Sequence, residues 1–348
     1  MSEHSPASGI PTTSTPSDPA NPALVTNPDA TPFEVDVDVV VVGGGAAGLS
    51  AATVLARSRR SVVVVDAGHP RNAPADVVHA FLGHDGLPPG ELLARGRAEL
   101  ASYGGLVVDG TVVDAVVTPG ADRVSVTAAD GTRWTARHLV LTTGVVDALP
   151  DVPGLAANWG TGVIHCPYCH GWEVRDRHVV VLATSPAAMH QAGLFHQLTD
   201  ALTVVLHDAQ ALSSDDVARL RALGIDVVEG PASRVLGEPG ALTGIEVPGA
   251  TVTADAVVVA SFVEPKSPLI TALGLELTDL EMMGRVMARS VAADPVGRTA
   301  VPRVWAAGNL TDPMSQVVMA AAAGVRTGAM VNAEMVMEDQ QRRLDALA

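Results

Sequence analysis

Aromatic residues are scarce in this chain of 348 residues: Phe, Trp and Tyr together make up 3%. Val, Ala, Gly and Leu dominate instead, as in α/β sheets whose strands are buried on both faces, which favours a doubly wound architecture over a sandwich. Basic residues are also short, with 22 Lys plus Arg against 38 Asp plus Glu and a net charge of −16. Such a surface repels phosphate backbones and anionic lipid, so neither nucleic acid nor a membrane is an expected partner. Residues 1–36 hold many Ser, Thr, Pro, Ala and Asn, and lack both a basic start and an apolar run. They read as a disordered tail rather than a signal peptide or a span. The expected location is the reducing cytoplasm, where only two cysteines spaced C-x-x-C are expected to be catalytic rather than structural. The length allows roughly two domains.

From Asp36 the chain reads as strand, glycine turn, helix and second strand. Gly43, Gly45 and Gly48 form a G-x-G-x-x-G turn, in which the first lets the chain reverse, the second lets backbone approach a pyrophosphate, and the third lets helix pack on strand. The pyrophosphate would rest on the N-terminus of the following helix. Asp66 ends the second strand, where a carboxylate accepts hydrogen bonds from an adenosine ribose. FAD and NAD share this unit, so it does not choose between them. Near the far end, a strand closing at Ala306-Ala307-Gly308 is followed by a polar loop through Asn309 and Asp312 and a long helix of small residues. That segment reads either as a second contact to a flavin, with Asn309 or Asp312 on the ribityl chain, or as a terminal packing helix.

Between these ends lies His165-Cys166-Pro-Tyr-Cys169-His170, two thiols and two imidazoles in six residues. Two residues between cysteines allow their sulfurs to join, and a neighbouring imidazole can hold a thiolate or move a proton. Thiol–disulfide exchange requires these parts. Zinc fits poorly, since four ligands on six consecutive residues do not surround a tetrahedral ion and no second C-x-x-C exists. A glutaredoxin site of this sequence would open a small domain rather than follow a dinucleotide fold. A purely structural disulfide would gain little from so short a loop.

Together these segments resemble the low-molecular-weight thioredoxin reductase family of FAD-dependent pyridine nucleotide–disulfide oxidoreductases. The resemblance runs from about Val37 to Val336 and rests on the GGGAAG turn with Asp66, Pro70-Arg71-Asn72, Thr142-Thr143-Gly144, Cys166-Pro-Tyr-Cys169 and the Ala-Ala-Gly308 segment. Within the family, Cys-Pro-Tyr-Cys-His-Gly-Trp-Glu is most similar to the dithiol oxidases that close disulfides in gliotoxin, holomycin and romidepsin. The resemblance implies two Rossmann-like domains: an FAD domain split over residues 37–152 and 263–348, and an NAD(P)-type domain over 153–262 carrying the cysteines. It implies a homodimer and a small dithiol as substrate. FAD contacts fall on Gly43, Gly45, Ala46, Ala47, Gly48, Asp66, Ala67, Arg71, Asn72, Thr143, Gly144, Gly308, Asn309, Gln316 and Val317. Cys169 is expected against the flavin, Cys166 outward as the partner of the mixed disulfide, and His170 as acid and base.

A second strand–turn–helix–strand unit follows the thiols. Where the family has G-x-G-x-x-A, this chain has Ala183-Thr-Ser185-Pro-Ala-Ala188, and β-carbons at the glycine positions obstruct a pyrophosphate. Where NADPH-dependent relatives place arginines, it has His207-Asp208-Ala-Gln, with no guanidinium for the 2′-phosphate. Electrons are therefore expected to enter from a dithiol rather than from nicotinamide, with O2 as acceptor and hydrogen peroxide as product. The rival readings are a reductase fed by NADPH or ferredoxin, and a flavin-loaded redox sensor.

Overall fold

The computed structural model describes residues 34–118, 120 and 122–348; the expected tail lies outside them up to residue 33. The first strand begins at Glu34, so residues 34–36 join the sheet, pairing with Arg133, Trp134 and Thr135.

Strand Glu34–Val42 runs at the centre of a seven-stranded sheet, parallel to Val62–Asp66 on one side and to Arg133–Leu141 on the other. Its valines alternate between two cores. Val39 and Val41 face helix Ala46–Arg57 and the C-terminal helix Val317–Asp345, while Val40 and Val42 face the other layer with Leu269 and Trp134. Full burial of each such side chain contributes roughly 1.5–3 kcal/mol, which explains why a near-continuous run of Val forms this strand. The outer edge of Arg133–Leu141 forks. Its first residues pair antiparallel with Val124–Ala128, and its last pair in parallel with Val304–Ala306, which returns from the far end of the chain. One sheet is thus built from both ends of the sequence.

The C-terminal helix lies on the first helix at backbone contact. A β-carbon on Gly324 would come 2.0 Å from the Ala47 carbonyl oxygen, and one on Gly328 would come 2.6 Å from that of Ala51. Small residues on both helices allow the approach. Farther along, Arg60, Arg137 and Arg303 hold its last turns through Asp339 and Glu338 at 2.7–3.1 Å.

A second sheet repeats the plan. Strands Asp226–Glu229, Leu202–Leu206, Val179–Leu182, Ala256–Val259 and Val163–Ile164 are all parallel, in that order, beside an antiparallel meander over residues 234–253. Two Rossmann-like units in one chain agree with the fold class read from the sequence. The chain crosses between them along Val146–Ala148 and Phe262–Glu264, which pair antiparallel and continue into Leu277–Met282 and Arg285–Val291. Among the described residues, no helix is long and apolar enough to cross a membrane.

Candidate active site

The first turn is shaped by its glycines. Gly43 has φ +106°, and a β-carbon there would come 2.5 Å from the Thr142 carbonyl oxygen; one on Gly48 would come 1.9 Å from the Gly43 carbonyl oxygen. Gly45, by contrast, faces open space, as a backbone that receives a ligand should. Thr142 secures the turn, its hydroxyl donating to the carbonyls of Val42 (3.0 Å) and Gly43 (2.8 Å). Gly45 caps helix Ala46–Arg57 with no side-chain bond, leaving first-turn N–H groups from Ala46, Ala47 and Gly48 for an anion. Asp66 accepts from the Gly44 amide at 3.0 Å and is paired with Arg97, which also holds Asp109. Each carboxylate oxygen retains a further lone pair for a ribose hydroxyl. Ala67 follows, exposed, and leads to the positive-φ Gly68.

Thr143 carries a buried hydroxyl without a hydrogen-bond partner, next to Gly144 at φ +65°. Gly308, at φ +73°, sits so close to the first helix that a β-carbon would come 2.7 Å from Ala47 Cβ. Beyond it, Gln316 starts the C-terminal helix without a side-chain cap, and Val317 is its first residue. A reversed glycine turn, an orphaned buried hydroxyl and two uncapped helix starts fit the pyrophosphate and flavin ends of FAD.

Four of the sequence candidates are engaged with protein. Arg71 makes a fork to Asp147, both bonds 2.7 Å, and donates to the Pro313 carbonyl at 3.0 Å. Asn72 lies in the adjoining turn, its carbonyl accepting from Ala75. Asn309 donates to the carbonyls of Asp312, Pro313 and Ser315, the last at 2.8 Å, so its amide nitrogen staples the loop that Arg71 also grips. Asp312 closes the same loop by accepting from the Ser315 hydroxyl. Burial alone would raise Asp147, but the Arg71 fork and the Ser261 hydroxyl outweigh it and hold the carboxyl below its ordinary range.

Cys166 and Cys169 are joined as a disulfide, their Cα atoms 5.3 Å apart. The short helix Pro167–His170 makes this possible: Pro167 fits the first helical position, where no N–H is needed, and the amides of Cys169 and His170 both donate to the Cys166 carbonyl. Gly171 permits the close packing that follows, since a β-carbon there would come 2.2 Å from the Pro167 carbonyl oxygen. One turn of helix places His170 on the same side as Cys166. Both its ring nitrogens are buried without hydrogen-bond partners, and burial pulls its pKa below the usual imidazole value, so at neutral pH the ring is an unprotonated base. His165 stacks on Trp159 with ring centroids 5.6 Å apart. Burial, followed by the Arg71 charge, lowers its pKa to about 4.

No motif points to His79, which meets Glu173 just beyond this helix from the loop after the second strand. Its Nε2 lies 3.2 Å from Glu173, and its Nδ1 lies 3.2 Å from Asp85. No periodicity marks such a residue, because the contact joins distant segments.

At the second turn side chains stand where the first has glycines. Ala183 is fully buried, and its carbonyl accepts from the Asp208 amide at 3.0 Å. Thr184 and Ser185 carry side chains where open backbone is needed; the Ser185 hydroxyl is buried and unpartnered. His207 accepts from the Ala232 amide through Nδ1, and Asp208 accepts from the Gln210 amide, so the following loop folds back on protein. Elsewhere, His138, Glu334 and Glu338 come within 4.8 Å of one another. Trp305 donates to His138 Nδ1, which leaves the ring proton on Nε2, and the carboxylates are held by Arg298, Arg137 and Arg303. That cluster is a charge network, not a ligand set.

Residues 37–328 match the pyridine nucleotide-disulphide oxidoreductase family. The chain belongs to that family. Like other members of this FAD-binding family, it is a flavoprotein-type oxidoreductase, similar to a thioredoxin reductase from Leptosphaeria maculans, sirT, at 32% identity over 88% of this chain and 96% of that one. It is 35% identical to the thioredoxin reductase tcpT of Claviceps purpurea over 52% of its own length, a match spanning 59% of that relative. Among solved structures, HlmI is 40% identical with a TM-score of 0.83, covering 91% of this chain and 98% of that one. An oxidoreductase from Agrobacterium tumefaciens is 30% identical with a TM-score of 0.80, over 87% and 99%. These bear out the thioredoxin reductase-like resemblance read from the motifs.

Proposed function

We propose that this oxidoreductase closes an intramolecular disulfide in a small dithiol, with O2 as final acceptor, in the making of or protection against a holomycin-like disulfide metabolite. The observation that carries the reading is the pairing of a redox disulfide with one open dinucleotide turn and one filled one. FAD, held by the Gly43–Gly48 turn, Thr143 and the Gly308 segment, supplies a two-electron acceptor that O2 can reoxidise to give hydrogen peroxide.

The protein's own part is thiol exchange. One substrate thiol loses its proton to His170 and attacks Sγ of Cys166; the bond to Cys169 breaks, and Cys169 leaves as thiolate. The second substrate thiol then attacks the substrate sulfur of the mixed disulfide, and Cys166 leaves carrying that thiol's proton. The substrate is oxidised by two electrons and the cysteine pair reduced by two. Neutral His170 suits the first step, because free thiols with pKa near ~8.5 are mostly protonated at neutral pH. Its imidazolium then steadies the Cys169 thiolate.

Oxygen uptake with small dithiols, yielding one hydrogen peroxide per disulfide formed, is the expected result. The relatives named thioredoxin reductases favour a second reading, reduction of a thioredoxin-like protein by NADPH or ferredoxin. No oxygen uptake, together with NADPH-driven reduction of thioredoxin, would establish that reading instead.

A further inference from the structure

The exchange leaves one proton on the His170 ring, and the ring must pass it to a further acceptor that reaches water before it can serve as a base again. We infer that His79, bracketed by Glu173 and Asp85, is that acceptor and carries protons from His170 to solvent; this rests on the dithiol reading above.

The groups form a path. His170 has both ring nitrogens buried and unpartnered. Glu173 lies three residues on, in the turn that follows the helix, and its carboxylate oxygen is 3.2 Å from His79 Nε2. The other nitrogen of His79 is 3.2 Å from Asp85. Side-chain exposure is 41% at Glu173, 23% at His79 and 69% at Asp85, so both carboxylates that flank the ring reach water. Asp85 is fixed by accepting from the Ala80 amide, at a residue with φ +57°, so the loop that presents His79 closes on the carboxylate.

The charges around the pair set the direction of flow. His170 is made less basic first by burial, then raised by Glu173, lowered by His79 and raised by Asp76. His165 also senses His170, and stays neutral itself. A proton taken by His170 is therefore readily released, and His79, with a carboxylate near each ring nitrogen, is placed to receive it. The proton moves outward while Cys166 and Cys169 gain the two electrons.

The test uses the FAD holoenzyme without oxygen, with dithiothreitol as the probe. The reaction is quenched with N-ethylmaleimide at set times, and alkylated Cys166 and Cys169 are counted by mass across the neutral to alkaline range. His79→Gln is expected to slow disulfide reduction roughly tenfold at neutral pH, with the loss vanishing where the dithiol ionises by itself and added imidazole restoring the rate. Glu173→Gln, which removes a carboxylate that raises His170, shifts the acid limb of the profile to lower pH. Flavin absorbance of each variant checks the fold. Unchanged rates and pH profiles in both variants would overturn the relay. Oxygen uptake by the wild type is read alongside. Its absence with the His79 effect intact removes the oxidase reading and leaves the relay, while its presence with both variants unaffected removes only the relay.

Discussion

The two dinucleotide units share one topology and differ at one turn. In the first, Gly43 bends the chain at φ +106°, Gly45 faces open space, and Gly48 brings helix against strand. In the second, Ala183 and Ser185 occupy the same part of the plan with buried side chains, and Pro186 begins the helix. The strands beneath them are equally apolar and equally buried, so folding demands no glycine at the second turn. What glycine adds at the first is room for a ligand. A fold of this kind keeps its sheet when the glycines of a binding turn are replaced.

The largest effect is expected from breaking the first turn. Gly48→Ala places a β-carbon 1.9 Å from a backbone oxygen that cannot rotate away. Overpacking of this kind costs at least ~1–3 kcal/mol, and the purified variant should be colourless, as read by flavin absorbance. Ala188→Gly, at the matching end of the second turn, should leave flavin content unchanged.

Next comes the chemistry between the units. His170→Ala should retain FAD yet lose about 10²- to 10⁴-fold in dithiol oxidation at neutral pH, the usual worth of a positioned base. Because burial lowers the His170 pKa, the wild-type ring stays neutral down to below ~6.5, and activity should fall only on the acid side of that value. The deficit of the variant should shrink as pH rises and substrate thiols ionise. Loss of flavin together with activity would mean that His170 supports the first unit rather than the exchange step.

Much of this difference was legible in the sequence, for a physical reason. Gly43, Gly45, Gly48 and Asp66 act through local backbone geometry at fixed spacings, and so do Cys166, Cys169 and His170. Thr143 and Gly308 carried a recognisable pattern too. Long-range partnerships were not legible. Arg71 reads as a cofactor contact but forks onto Asp147, and Asn309 reads as a flavin contact although its amide nitrogen ties down the loop 312–315. The Asn309 bonds are local and depend on the turn that the loop adopts, whereas the Arg71 pairing depends on how the ribbon between the units brings residue 147 beside that loop, which no spacing rule encodes. His79 escaped for the same cause. Its chemistry depends on Glu173, whose side chain only the folded chain brings near.

The smallest effect is expected from trying to restore the second turn. Replacing Ala183 and Ser185 with Gly removes the obstructing β-carbons, but the loop His207–Gln210 still offers no guanidinium and keeps Asp208. NADPH affinity, followed by protein fluorescence, should improve by no more than about tenfold. A larger gain would show that the turn alone had excluded the nucleotide.

The most direct test of the whole account is an anaerobic titration of flavin absorbance in the wild-type protein, with NADPH in one cuvette and dithiothreitol in the other. The open first turn, the disulfide and the filled second turn together predict full bleaching by stoichiometric dithiol and little or none by NADPH. Rapid bleaching by stoichiometric NADPH would contradict the account and return the enzyme to the reductases.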